Sequence, residues 1–378
     1  MTSAPSPARR GRRAARRRAQ RPNYVPYVLI GFSITLAIAL AAVLIPDSPG
    51  ISPKAAGSPG DTVASPDPTE PPPEGEVPMD GRAPLSGVLS ETDLDHASVT
   101  VKVSNTPDAH PHRGLNDADI VFVEPITGWT TRLAAVFHST FPEHAGPTRS
   151  LRPMDAPIIG PTGGVLANTS AQQWVIDYID AEANVANLST LRVPSGTYFI
   201  DDSRIAPNHV FTQPTLILEQ TERTEPPEPY FRYAYHVPTS SVVQGGSPAS
   251  SLTVEYGGTS TATWTYDESG EHWLRAEEWG DHILEDGEQV RATNVVVLVA
   301  ERDFGFPQAG DDMTVLDVID TSGEFLAFTG GSVIEGTWSK AGVNDSFEFQ
   351  TTDGEPLLLA PGTTWVEMPL TTMNVTFN

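Results

Sequence analysis

No cysteine occurs in the 378 residues. Structural disulfides, thiolate zinc sites, iron–sulfur clusters, thiol nucleophiles and a lipid on an N-terminal cysteine are therefore excluded. Basic residues are scarce beyond position 21. Of 23 Lys and Arg, eight are arginines before position 22, which leaves fifteen against 48 Asp and Glu and a net charge of −33 downstream. A body that acidic repels nucleic acid and anionic lipid, so nucleic acid is not an expected partner. Familiar catalytic motifs are missing too. Neither Ser150 nor Ser170 has the Gly-x-Ser-x-Gly context of a hydrolase elbow, and Ser170 is expected to cap a helix. Gly160-Pro161-Thr162-Gly163-Gly164 has no Walker lysine after it and reads as a turn. Apolar residues are plentiful, at 39%, which suffices for a core and rules out wholesale disorder.

The N-terminus carries a topology signal. Residues 1–27 form a basic arm containing Arg9, Arg10, Arg12, Arg13, Arg16, Arg17, Arg18 and Arg21. Residues 28–45, VLIGFSITLAIALAAVLI, hold no charge. As a helix that run spans roughly 27 Å, close to the ~30 Å bilayer core. Arginines before the run and acids after it predict a single-pass cell-membrane protein with a cytoplasmic N-terminus and an extracytoplasmic body. Ala39-Leu40-Ala41 also satisfies a small-x-small pattern, so cleavage near Ala41 stays open beside a retained anchor. Residues 46–84 are rich in Pro, Gly and acids and read as a disordered linker.

The rest is expected to be α+β, a mixed α/β domain at 85–235 followed by a β-rich domain at 250–376. Ser98–Asn105, Ile120–Ile126 and the segment after Gly128-Trp129 read as strands, with Gly164–Thr169 as a fourth. Trp174, Val175, Tyr178 and Ile179 fall at helical spacing. Beyond Pro248 the pattern is short strands and Gly-centred turns, as in a twisted antiparallel sheet or partial barrel. Its tryptophans are expected to close the core or rim, with sugar stacking by Trp264, Trp273 or Trp279 as the alternative.

Four blocks make the chain recognisable. They are His110-Pro111-His112-Arg113-Gly114-Leu115 running into Ala118-Asp119-Ile120-Val121-Phe122-Val123-Glu124, then Gly128-Trp129-Thr130-Thr131-Arg132, Gly146-Pro147-Thr148-Arg149-Ser150-Leu151-Arg152, and Ala206-Pro207-Asn208-His209-Val210-Phe211. The chain resembles a two-domain family of bacterial envelope proteins, mostly lipoproteins, labelled domain of unknown function 3048. The resemblance covers about 99–370 and implies an envelope location but no settled activity. The late motif departs from the family in having its His and Asn in swapped order, as Asn208-His209.

Two constellations could carry chemistry. Arg132, Arg149 and Arg152 with Glu124, together with His209, form the candidate ligand site, in which Glu124 is expected to orient the arginines. Guanidinium groups suit bidentate capture of phosphate or carboxylate, and in so acidic a body their charge must act locally. A structural Arg–Glu pair is the competing reading. His110, His112, Asp117, Asp119 and His209 could ligate a metal, but the spacing matches no metalloprotease signature. They are read as solvated loop residues, with neither metal nor cofactor expected. The function read from these features is a membrane-anchored extracytoplasmic binding or scaffold protein. Its expected partner is a cell-wall polymer, an envelope protein or a small anionic ligand. The alternative is an envelope hydrolase or transferase acting on a wall-derived or phosphorylated substrate, so enzymatic activity stays open.

Overall fold

The computed structural model describes residues 74–126, 130–258, 260–306 and 313–378. The basic arm, the apolar run at 28–45 and most of the proposed linker lie outside the described residues. Among those described, no helix is long and apolar enough to cross a membrane.

The described chain is mostly β-strand with few helices. The first strands are β1 (Val99–Asn105), β2 (Ile120–Ile126) and β3 (Thr130–Phe137). Helix α1 (Asp155–Ile159) follows, then β4 (Val165–Asn168), α2 (Gln173–Glu182) and β5 (Ala186–Ser189). The longest of these helices, α2, has only 10 residues. It starts at Gln173 rather than at Ser170, which does not cap it: Ser170 sits in a turn at φ 103°, its N–H held by Asn168 Oδ1.

An 11-stranded mixed sheet forms the frame. Ten strands run in the order Glu348–Thr351, Ser332–Lys340, Thr321–Thr329, Asn294–Leu298, Thr364–Glu367, β2, β3, β1, β4, β5, and the eleventh, Ser247–Pro248, pairs with Ser332–Lys340 off this path. The segments 85–235 and 250–376 thus share one sheet. Thr364–Glu367 joins them, running parallel to both β2 and Asn294–Leu298. Both faces are covered, which is why β1 and β2 are buried at every position rather than alternating. On one face Phe122, Val136, Leu166 and Val296 pack against Ile158 and Ile159 of α1 and Val175 and Ile179 of α2. On the other, Val101, Val123, Leu133 and Val297 meet a six-stranded antiparallel sheet through Leu252, Val254, Trp264 and Trp273. Trp264 and Trp273 are wholly buried, so sugar stacking by either is overturned; Trp279 is partly exposed.

The proposed linker ends before position 84. Val77 donates its N–H to Tyr233 O at 2.9 Å and is buried with Ala83. An apolar side chain in the core and a backbone bond anchor this stretch to the body.

Candidate functional site

The period of two along β1–β3 sorts polar residues at one end of the sheet onto its two faces. Val99, Val101 and Val103 face the six-stranded sheet, so Lys102 points to the helix face. Glu124 and Arg132, opposite one another on β2 and β3, share that face with it. Lys102 Nζ lies 2.5 Å from Glu124 Oε1 and 2.5 Å from Asp155 Oδ1 at the start of α1, all fully buried. Burial raises the Asp155 carboxyl, and Lys102 opposes that rise.

Glu124 therefore pairs with Lys102, a residue the sequence reading missed, and not with an arginine. Arg132 donates instead to Ser150 O at 2.9 Å, Arg149 to Asn208 Oδ1 at 3.1 Å, and Arg152 to Leu151 O at 2.8 Å. Among the described residues none of the three forms an ion pair with a carboxylate. The Nε atoms of Arg132 and Arg152 are buried without a hydrogen-bond partner. Burial first, and then the charges of Arg152 and Arg149, push Arg132 down to about 9, still cationic at neutral pH. Four cations against two carboxylates leave this end of the sheet locally positive in an acidic body. His209 stands beside Asn208, with its Nδ1 buried and unpartnered.

The opposite face holds a second cluster. Asn105 donates to Glu277 Oε1 at 2.9 Å, and Glu277 pairs with Arg275. Arg275 Nε also lies 3.4 Å from Glu367 Oε1; the Glu367 carboxylate accepts from Trp264 Nε1 at 2.9 Å and Tyr256 OH at 2.7 Å. Arg275 Nη1 stands 3.0 Å from His282 Nδ1, His282 Nε2 is 2.7 Å from His112 Nδ1, and His112 Nε2 is 2.6 Å from Ser104 O. A carbonyl can only accept, so His112 carries its proton on Nε2 and presents the Nδ1 lone pair. His282 then donates from Nε2 and accepts at Nδ1. Burial above all holds both histidines well below the usual imidazole range and holds His110 at about 4, with Arg275 and Arg204 adding to the effect on His110.

His110 completes this group, its ring centroid 4.1 Å from that of His112 and 4.7 Å from that of His282. Arg204 pins the loop by donating to Ala109 O at 3.0 Å and Pro111 O at 2.6 Å. Gly114, at φ 76°, ends the loop where a Cβ would lie 2.7 Å from Pro142. Asp117, Asp119 and His209 do not join the histidines. Asp119 instead accepts from the N–H of His138 and Ser139. A cleft of about 580 Å³, lined by Asp108, His110, Arg204, Asn208 and Glu285 among others, lies between the loops. Through Asn208 one wall of the cleft touches Arg149; through His110 another touches the histidine group.

The family of the N-terminal domain, described as "Protein of unknown function (DUF3048) N-terminal domain", matches residues 85–227, and that of the DUF3048 C-terminal domain matches residues 252–366. The chain belongs to the DUF3048 family. It is 25% identical over 295 residues to "Putative lipoprotein YerB" of Bacillus subtilis (strain 168), a match covering 75% of this chain and 85% of that relative. The crystal structure of YerB from Bacillus subtilis superimposes with a TM-score of 0.66 at 23% identity, covering 78% of this chain and 99% of that one. The likeness shows a common fold. The strands of the two DUF3048 segments lie side by side in the large sheet and meet where Thr364–Glu367 pairs with β2.

Proposed function

We propose that this DUF3048 protein is an extracytoplasmic envelope protein that captures an anionic group, phosphate or carboxylate, with Arg132, Arg149 and Arg152. One observation carries the reading: three guanidiniums share a site without a carboxylate partner, and two keep a buried Nε–H unbonded. Placing a charge beside like charges in a partly buried site is costly unless something compensates it. A bound oxyanion would accept the free N–H groups and offset the local positive charge. The curated relative is named a lipoprotein. Without a cysteine this chain has no such lipid attachment, and the apolar run at 28–45 supplies the tether in its place.

Equilibrium dialysis of the full chain against inorganic phosphate, and separately against acetate, tests the site. Arg149→Ala and Arg152→Ala should each weaken binding of the preferred anion at least tenfold while the melting temperature in anion-free buffer holds. Equal binding by the wild type and the Arg149→Ala/Arg152→Ala double variant, or none by the wild type, would overturn it. Capture without turnover separates this reading from the hydrolase or transferase alternative.

A further inference from the structure

We propose that His110, His112 and His282 form a binding site for one divalent transition-metal ion of the zinc class. This departs from the sequence reading, which expected no metal, and it stands apart from the anion site on the other face of the sheet. The ligand atoms of the three residues lie within 4.8 Å of one another. Tetrahedral zinc, with Zn–N of about 2.0–2.1 Å, holds its nitrogens roughly 3.3 Å apart. The 2.7 Å contact between His112 and His282 must widen and His110 must draw in, both by side-chain movement.

Three features mark the site as built for a ligand. His110 Nε2 is buried with no hydrogen-bond partner. Ser104 O accepts from His112 Nε2 and so fixes its Nδ1 lone pair toward the group, the role outer-shell carbonyls play for metal-bound histidine. Arg275 beside the group is held by Glu277 and Glu367, which offset its charge before a cation arrives, so that Arg204 is the remaining positive charge at the loop. An all-imidazole set suits zinc, copper, nickel or cobalt rather than magnesium or calcium. The metal would occupy the place of the proton that His282 Nε2 shares with His112. That proton must move from Nε2 to Nδ1, with Arg275 turned wholly onto its carboxylates, so that His282 stays a neutral imidazole. Three protein ligands leave a fourth position, and the half-buried ring of His110 puts that position next to the cleft.

The test is titration of the chelator-treated full chain with ZnCl₂ by calorimetry, followed by CoCl₂ to read coordination from visible absorption. One equivalent of Zn²⁺ and a tetrahedral Co²⁺ spectrum are expected. His110→Ala should weaken Zn²⁺ binding at least tenfold in a chain that still unfolds cooperatively in EDTA, because the His110 Nε2 makes no hydrogen bond there. His282→Gln should abolish the Co²⁺ spectrum. Absence of stoichiometric binding by the wild type would overturn the proposal. So would Zn²⁺ binding that His110→Ala leaves intact, which would place the cation on surface carboxylates.

Discussion

Lys102 Nζ lies 2.5 Å from Glu124 Oε1 and 2.5 Å from Asp155 Oδ1, and no part of the three side chains reaches solvent. One cation thus joins β1, β2 and the start of α1 beneath the arginines. Lys102→Met would leave two buried carboxylates without the ammonium that pairs them. Breaking a buried pair in this way costs about 3–5 kcal/mol. Urea unfolding should show that loss, and Lys102→Met/Glu124→Gln should recover part of it. A loss below about 1 kcal/mol would mean that water reaches the carboxylates.

Arg132 should behave in the opposite sense. Its charge is buried beside Arg149 and Arg152 with no carboxylate partner, so Arg132→Met should raise the melting temperature in anion-free buffer. The wild type should gain stability from a bound anion, by about 2.7 kcal/mol at one hundred times Kd, and the variant should lose that gain. A variant less stable than the wild type without anion would make Arg132 a structural pin between β3 and Ser150.

The strands around these residues were legible because central strands buried on both faces read as unbroken β-branched runs; Ile120–Ile126 has the bounds its sequence predicts. Partners were not legible. Lys102 stands among valines in VTVKVSN, and nothing in the spacing says that its Nζ displaces the arginines from Glu124. His282 lies 170 residues beyond His112 and meets it only because the six-stranded sheet folds onto the end of β1. The histidine pair at 110 and 112 is a visible signal, but the nearby Asp119 that sequence alone would group with it is turned elsewhere by the loop. That Thr364–Glu367 pairs with β2 and so joins the strands of 85–235 and 250–376 in one sheet leaves no mark in the local pattern along the chain.

Arg204 straddles His110, holding the carbonyls of the residues on either side of it. Arg204→Ala removes no metal ligand, yet it should lower Zn²⁺ affinity about 10–100-fold, the usual cost of losing a supporting contact. Calorimetry reads it directly. Affinity that rises instead would show that removing a nearby positive charge outweighs the loss of loop positioning.

The topology reading rests on arginines before residue 28, an uncharged run to 45 and acids beyond. Protease added to intact, wall-stripped cells should digest the body and leave a short membrane-bound fragment containing the arm. Protection of the body while external controls are cut would reverse the orientation. A body released intact into the medium would place cleavage near Ala41.

Lys340 offers a test of burial energetics away from both clusters. Its side chain is withdrawn from solvent, donates to Asp345 O and lies over the Phe347 ring, with Nζ 5.1 Å from the centroid. Burial pushes its ammonium down to about 8 from 10.5, against the attraction of Asp345. Between those two values the unfolded chain keeps the proton and the folded chain gives it up, so stability should rise with pH across that window. Below pH 8 both states are protonated and the penalty is constant. A shift of that size corresponds to a cost on the order of 3 kcal/mol, at ~1.4 kcal/mol per unit, partly offset by the bond to Asp345. Lys340→Met should therefore be more stable than the wild type at pH 7, with the difference shrinking toward pH 10.5. Taking wild type minus variant cancels the tyrosines and arginines that titrate in the same range. A difference independent of pH would show that Lys340 stays protonated throughout, with its charge solvated or paired in the folded chain.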